Sequence, residues 1–194
     1  MESKIKGIIF DFFGVLSAGV VDEWFPKYTP HLSKEEYQEK YLNPFDAGDM
    51  SANDMWEKLA SISGKTGPEI ANEWVALARI DWAMIARLQE FETKYRVAVC
   101  TNVGGDFLNA VLVANDLRDA FKTLVISSEV RLVKPGAEIY RLVLQKLELA
   151  SEEAVFIDDR EINVRGAEAV GMHGIHFTSL AQLNVDLAAL GIHL

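Results

Sequence analysis

Five polar side chains follow short apolar runs of the sequence and are of the types that bind cations and phosphate: Asp11, Thr101, Lys134, Asp158 and Asp159. If the three aspartates lie together, their charges repel one another and the pKa of at least one carboxyl rises, unless a cation binds between them. Carboxylate oxygens suit Mg²⁺, which keeps several waters and shares an oxygen of a bound phosphate. The set predicts a magnesium and phosphate site.

The same side chains are suited to phosphoryl transfer. Lys134 is a positive charge that neutralises a bound phosphoryl group, and the Thr101 hydroxyl donates a hydrogen bond to it. A carboxylate can accept the phosphoryl group as an aspartyl phosphate, and Asp11 is the candidate nucleophile. A single Asp after an apolar run is more often a turn former, so this prediction depends on the whole set.

Five apolar runs predict the strands that must position these side chains. They cover residues 7–10, 97–100, 124–126, 155–157 and 175–177. Each run alternates little between apolar and polar residues, which is typical of strands buried on both faces of a parallel sheet. Helical patterns separate the runs, most clearly at residues 137–149. The sequence therefore predicts an α/β fold with a Rossmann-like, three-layer parallel sheet, in which ligands bind beyond the carboxyl ends of the strands.

Residues 17–81 have a different character. They hold three of the four tryptophans and four of the five prolines, with helical patterns at 53–62 and 68–80 and no strong strand run. We predict a small α-helical cap here, inserted after the first strand, and a core formed by residues 1–16 and 82–194. Such a cap is a candidate lid over the strand ends.

Composition narrows the classes of partner and compartment. The chain has 194 residues, 49% of them hydrophobic, and a net charge of −10 without a dense basic cluster, so we expect no nucleic-acid partner. No apolar run is long enough for a membrane span, and the single cysteine, Cys100, suits a reducing compartment. We expect a cytoplasmic monomer or homodimer that binds a small phosphorylated metabolite.

Four motifs occur in the order that is typical of one hydrolase superfamily. DFFGVL (11–16), CTN (100–102), VKP (133–135) and FIDDREINVRGAEAVGMHGIHF (156–177) together resemble the haloacid dehalogenase (HAD) superfamily, subfamily IA. AGDMSANDMWEKL (47–59) is similar to the cap of the branch that contains bacterial glucose-1-phosphate phosphatase and the N-terminal phosphatase domain of soluble epoxide hydrolase. The 90 residues from Asp11 to Thr101 leave room for the helical cap that this family inserts after its first strand.

The resemblance implies a metal site and a nucleophile. Asp11 would be the nucleophile and a Mg²⁺ ligand, and the backbone carbonyl of Phe13 a second ligand. Asp158 would bind Mg²⁺ directly, whereas Asp159 would act nearby or through a water.

The resemblance also implies a phosphate site. Thr101 and the Asn102 amide would hold phosphoryl oxygens, and Lys134 would bridge the nucleophile and the phosphate. Asn163, one helical turn after the aspartate pair, would orient the loop. The expected activity is that of a Mg²⁺-dependent phosphatase acting on a small phosphomonoester such as a sugar phosphate.

One position departs from the family pattern. Most phosphatases of this superfamily carry an acid/base Asp two residues after the nucleophile, where this chain has Phe13. Loss of a positioned acid/base costs about 10²- to 10⁴-fold in rate. The chain can therefore act on leaving groups that need little protonation, or take a proton from a cap residue, with Asp22, Glu23 and His31 as the nearest candidates in sequence.

Two further alternatives stay open. The chain can be a catalytically weakened protein that binds a phosphorylated ligand or regulates, without turnover. It can also be a 2-haloacid dehalogenase, since halide leaves without protonation. Dehalogenases dispense with the metal, however, so the Asp158-Asp159 pair argues against that reading.

Overall fold

The computed structural model describes residues 4–193, so residues 1–3 and 194 of the predicted core lie outside the described residues. Its centre is one parallel five-stranded sheet in the order β3-β2-β1-β4-β5. The strands are β1 (Gly7–Phe10), β2 (Arg96–Thr101), β3 (Leu124–Ile126), β4 (Ala154–Asp158) and β5 (His173–His176). The predicted α/β class and parallel sheet are confirmed.

Both faces of the sheet are covered by helices, which explains why the strands lack polar alternation. Successive side chains of a strand point to opposite faces: Ile8 and Phe10 belong to one hydrophobic cluster and Ile9 to the other. The eleven α-helices of the described chain are α1 (Val21–Tyr28), α2 (Lys34–Tyr37), α3 (Asn43–Asp46), α4 (Ala52–Ser63), α5 (Gly67–Leu77), α6 (Trp82–Phe91), α7 (Gly105–Ala114), α8 (Ser127–Val130), α9 (Ala137–Leu147), α10 (Glu161–Ala169) and α11 (Leu180–Ala189). Side chains of α6, α7 and α11 fill the first cluster and those of α9 and α10 the second, which gives three layers.

Helices α1 to α5 lie between β1 and α6, in the segment that the sequence predicts as a cap. A π-helical turn (Gln38–Leu42) joins α2 to α3. The chain leaves and re-enters the sheet side by side, because the Ala18 N–H donates to the Arg79 carbonyl at 2.8 Å and the Asp81 N–H donates to the Leu16 carbonyl at 2.9 Å. The division into a cap of 17–81 and a core stays a prediction.

Local signals account for the bounds of α4 and α5. Ser51 and Thr66 each accept a hydrogen bond from the backbone N–H three residues on, at the start of α4 and α5, and form capping boxes. Gly64 ends α4 with a φ of +73°, a conformation that glycine adopts without strain. No helix of residues 4–193 combines the length and apolar character that a bilayer span requires.

Candidate active site

The carboxyl ends of three neighbouring strands bring the predicted residues together. Asp11 directly follows β1, Thr101 ends β2 and Asp158 ends β4. These strands are neighbours in the sheet, with β1 in the middle, and the Asp11 N–H donates to the Ile157 carbonyl at 2.8 Å. The parallel register therefore places all three side chains at one edge of the sheet.

Lys134 lies between two of the carboxylates. Its Nζ is 2.8 Å from Asp11 Oδ1 and 2.7 Å from Asp158 Oδ2, and its side chain is fully buried. Burial alone lowers the pKa of a lysine, but the two carboxylates hold the pKa of Lys134 above its ordinary value. Burial raises the pKa of Asp11 to about 7, although Lys134 opposes the rise. The lysine is a fixed positive charge beside the candidate nucleophile.

Asn102 holds Lys134 in place through the backbone. Its side-chain amide donates to the Lys134 carbonyl at 2.9 Å, and its Oδ1 accepts from the Lys134 N–H at 2.9 Å. The side-chain amide of Asn102 is thus engaged with the protein rather than free for a phosphate. The predicted phosphate contact of Asn102 stays a prediction for its backbone N–H.

The three aspartates form a cluster that can bind one small cation. One carboxylate oxygen from each of Asp11, Asp158 and Asp159 lies within 4.8 Å of the other two. Asn163 orients Asp158 by donating from Nδ2 to Oδ1 at 3.0 Å and to Oδ2 at 3.1 Å. Burial and the charge of Asp158 raise the pKa of Asp159, as expected for carboxylates that crowd together.

Two buried polar atoms of cavity-lining side chains have no hydrogen-bond partner among the described residues. They are the Thr101 hydroxyl oxygen and the Trp74 indole nitrogen, and both residues line the cavity that also contains Asp11 and Lys134. Buried polar groups in folded proteins are nearly always paired, so an unpaired one marks a place for a water, ion or ligand. The Thr101 hydroxyl is where the sequence predicts a phosphoryl oxygen.

Phe13 lines the same cavity and brings no proton donor to it. Its ring stacks on Phe107, with centroids 5.6 Å apart and an interplanar angle of 7°, and meets Phe12 edge-on. The next residue, Gly14, has a φ of +90° and lies so close to Asp159 that a Cβ there would be 2.3 Å from Asp159 Cγ. The loop after β1 therefore presents an apolar ring on one side and permits the approach of a carboxylate on the other.

The three residues that the sequence offers as alternative proton donors fit that role poorly. Asp22 lines the cavity, but its exposed carboxylate pairs with Lys34 at 3.2 Å. Glu23 is exposed and pairs with Arg79, and exposed His31 is not part of the cavity lining.

The structure adds one carboxylate that sequence reasoning missed. Asp46, the last residue of α3, lines the cavity together with Asp11, Lys134 and Arg160. Burial raises the pKa of Asp46 to about 7, against the lowering effect of Arg160 and Lys134. Asp46 directly precedes residues 47–59, whose sequence resembles a family motif, and no periodicity of the sequence singles out Asp46.

Cys100 is a structural residue. Its thiol is fully buried in β2, and burial raises its pKa to about 12, so it carries no nucleophilic thiolate at neutral pH.

Comparison with known proteins places the chain in a family. The model of the haloacid dehalogenase-like hydrolases matches residues 8–177. The sesquiterpene phosphatase astK of Aspergillus oryzae is 27% identical over 198 aligned positions, which cover 98% of each chain.

Two solved structures share the fold over nearly their whole length. A predicted HAD-like hydrolase of Porphyromonas gingivalis has a TM-score of 0.80 at 18% identity and covers 99% of this chain and 100% of its own. A HAD family enzyme of Bacteroides thetaiotaomicron, in complex with magnesium and inorganic phosphate, has a TM-score of 0.75 at 22% identity and covers 92% and 98%. Because the family model spans most of the chain and includes every residue of the site described above, the chain belongs to the haloacid dehalogenase-like hydrolases.

Proposed function

We propose that this hydrolase is a Mg²⁺-dependent phosphatase that cleaves a small phosphomonoester through an aspartyl phosphate on Asp11. One observation carries the proposal: buried Lys134 binds both Asp11 and Asp158 at the edge of a cavity into which Thr101 brings an unpaired, buried hydroxyl. A positive charge and a hydroxyl donor can bind an anionic phosphoryl group beside a carboxylate nucleophile.

The donor set fits a magnesium ion. Asp11, Asp158 and Asp159 offer three carboxylate oxygens without a histidine or thiolate, and hard oxygen ligands favour Mg²⁺ over softer metals. The Phe13 backbone carbonyl is the proposed fourth protein ligand. When bound, the ion neutralises charge on the transferring phosphoryl group.

Each residue of the site has its own role in the proposed reaction. Asp11 attacks phosphorus, a new bond forms from its carboxylate oxygen, and the bond from phosphorus to the leaving oxygen breaks. Lys134 and Thr101 hold the phosphoryl oxygens, and Asn163 keeps Asp158 oriented. A water then attacks the aspartyl phosphate, which releases inorganic phosphate and restores Asp11.

The names of two relatives support a small organic phosphate as substrate. One is the sesquiterpene phosphatase of Aspergillus oryzae, and the other is a phosphorylated carbohydrates phosphatase of Thermotoga maritima, 34% identical over 61 residues, or 31% of this chain and 28% of that one. The cavity suits either kind of ester, because its lining combines Phe13, Phe107 and Leu42 with Asp46 and Arg160. A sugar phosphate is one member of the proposed class of substrates. We still expect the protein to be cytoplasmic and to be a monomer or a homodimer.

Phe13 also supports a second candidate, a protein that binds a phosphorylated ligand without turnover. The dehalogenase alternative is disfavoured, because Asp158 and Asp159 place two further carboxylates beside Asp11.

The test is phosphate release from a panel of sugar phosphates, acyl phosphates and p-nitrophenyl phosphate, with Mg²⁺ or EDTA. We expect Mg²⁺-dependent release that Asp11→Asn abolishes and that Asp119→Asn, an exposed aspartate outside the cavity lining, leaves unchanged. Release that persists in Asp11→Asn contradicts the proposed nucleophile. Silence across the panel from a folded protein that binds Mg²⁺ supports the binding protein instead.

A further inference from the structure

We propose that Asp46 of the cap segment is the general acid and base of this site, in place of the carboxylate that Phe13 displaces. This inference rests on the phosphatase function proposed above. It assigns to the cap a chemical step, rather than only the selection of substrate.

The position of Asp46 is set by the strand-end loops. The Ser127 hydroxyl donates to the Asp46 carbonyl at 2.6 Å and accepts from the Val103 N–H at 2.9 Å. Val103 follows Asn102 in the loop after β2, and Thr101 is the last residue of that strand. One buried hydroxyl therefore ties the end of α3 to the loop of the proposed phosphate site.

Close packing secures the same junction on both sides of Asp46. A Cβ at Gly104 would lie 2.2 Å from the Phe45 ring, and a Cβ at Gly48 would lie 2.3 Å from the Ser128 carbonyl oxygen. Because these backbones pack directly against their neighbours, the position of Asp46 is tied to the loops at the sheet edge.

The carboxylate of Asp46 is available for chemistry. It is partly buried, lines the cavity, and has no hydrogen bond or ion pair with any residue that the structure describes. The cations that act on it are Arg160 and Lys134, which line the same cavity. Its raised pKa of about 7 keeps both the acid and the carboxylate populated near neutral pH, which general acid and base catalysis require.

The competing carboxylates are less suitable. Asp22 is exposed and paired with Lys34, and Glu23 is paired with Arg79 on the surface. Asp11, Asp158 and Asp159 form the cation cluster. Within residues 4–193, Asp46 is the cavity-lining carboxylate left without a partner or another role.

The proposed steps balance. As Asp11 bonds to phosphorus, the protonated Asp46 carboxyl gives its proton to the leaving oxygen, and the product departs as an alcohol. Asp46 is then a carboxylate, and it takes a proton from the water that attacks the aspartyl phosphate. Hydrolysis leaves Asp11 free and Asp46 protonated for the next cycle.

The experiment compares two substrates in one enzyme sample. For Asp46→Asn we expect kcat/KM for an alkyl phosphate, such as glycerol 3-phosphate, to fall about 10²- to 10⁴-fold. With p-nitrophenyl phosphate, whose leaving group needs no proton, we expect kcat/KM to change less than about tenfold, because kcat/KM reports the steps up to formation of the phosphoenzyme and not its later hydrolysis. The ratio of the two values is independent of the folded fraction, so partial unfolding cannot imitate the result.

A second readout tests the base role. With p-nitrophenyl phosphate, the Asp46→Asn variant should accumulate phosphoenzyme, measured after the reaction is quenched in acid. Hydrolysis of the intermediate slows in this variant, whereas its formation does not. Asp49→Asn is the matched control, since Asp49 lies three residues on in the same segment and pairs with Arg131 on the surface. It should leave both readouts unchanged.

Two results overturn the inference. One is an Asp46→Asn variant in which both substrates are slowed equally or not at all. The other is a leaving-group-selective loss in Asp22→Asn but not in Asp46→Asn. In either case, loss of phosphate release in Asp11→Asn would still support the proposed phosphatase function. Failure of the Asp46 proposal can therefore be distinguished from failure of the proposed function.

Discussion

Replacement of Lys134 by methionine, which keeps most of the length of the side chain but not its charge, should destabilise the protein strongly. The ammonium is fully buried and binds Asp11 at 2.8 Å and Asp158 at 2.7 Å, and both carboxylates are nearly or fully buried. Removal of one partner from a buried ion pair costs about 3–5 kcal/mol, because it leaves an uncompensated buried charge. At about 2–4 °C per kcal/mol for a chain of this size, we expect Tm to fall by about 6–20 °C.

Urea unfolding in EDTA, followed by tryptophan fluorescence, measures this loss at pH 8. The matched control is Lys122→Met, because Lys122 pairs with Glu92 at 3.3 Å on the surface, with 75% of the lysine side chain exposed. We expect the control to lose no more than about 1 kcal/mol. A Lys134→Met variant that loses as little as the control would refute the account of Lys134 as a buried counter-charge.

The loss of unfolding free energy in Lys134→Met should be smaller at low pH. Burial raises the pKa of Asp11 in the folded protein to about 7, whereas an unfolded Asp titrates near 4. Without Lys134, which opposes that rise, the folded-state pKa lies higher still. A raised folded-state pKa contributes stability that is fully present below about pH 4 and is lost as pH rises through the folded value. The difference between wild type and Lys134→Met should therefore be smaller at pH 5 than at pH 8.

Two other substitutions test the cation cluster. Asn163→Ala removes both hydrogen bonds to Asp158 and should weaken Mg²⁺ binding about 10- to 100-fold by calorimetry, while unchanged affinity would show that Asp158 needs no orientation. Gly14→Ala should lower both the free energy of unfolding and the Mg²⁺ affinity, because its Cβ would lie 2.3 Å from Asp159 Cγ. The control is Gly64→Ala, because Gly64 also has a positive φ but a Cβ there would face open space. It should lower the free energy of unfolding by only about 1–2 kcal/mol, the cost of a left-handed backbone for a residue with a Cβ. Equal losses of stability in the two variants would contradict the contact between Gly14 and Asp159.

Four of the five strands were predicted closely, including β3 at one edge of the sheet. The runs at 7–10 and 124–126 match β1 and β3, and those at 97–100 and 155–157 lie within β2 and β4. The last run is displaced: the sequence predicts 175–177, whereas β5 spans His173–His176. In β5 only Ile175 is buried, and His173 and His176 are exposed, so no continuous apolar run marks the start of this strand.

Helix ends depended on contacts that periodicity does not report. The pattern at 137–149 continues past the observed end of α9 at Leu147, because Glu148 adopts a φ of +51° and stops the helix. The pattern at 68–80 likewise exceeds α5, which ends at Leu77 so that Arg79 can pair with Ala18 where the chain re-enters the sheet.

By itself the sequence determined the sheet and the candidate nucleophile, lysine and cation cluster, because these side chains directly follow or end parallel strands or lie in the loops just beyond them. In a parallel sheet all such ends meet at one edge, so strand order and register leave little freedom in where the side chains go. Only the tertiary structure decided how the segment after β1 meets that edge. Asp46 is joined to Ser127 across 81 positions of sequence, and such a contact depends on how two distant parts of the chain pack, which local periodicity does not encode.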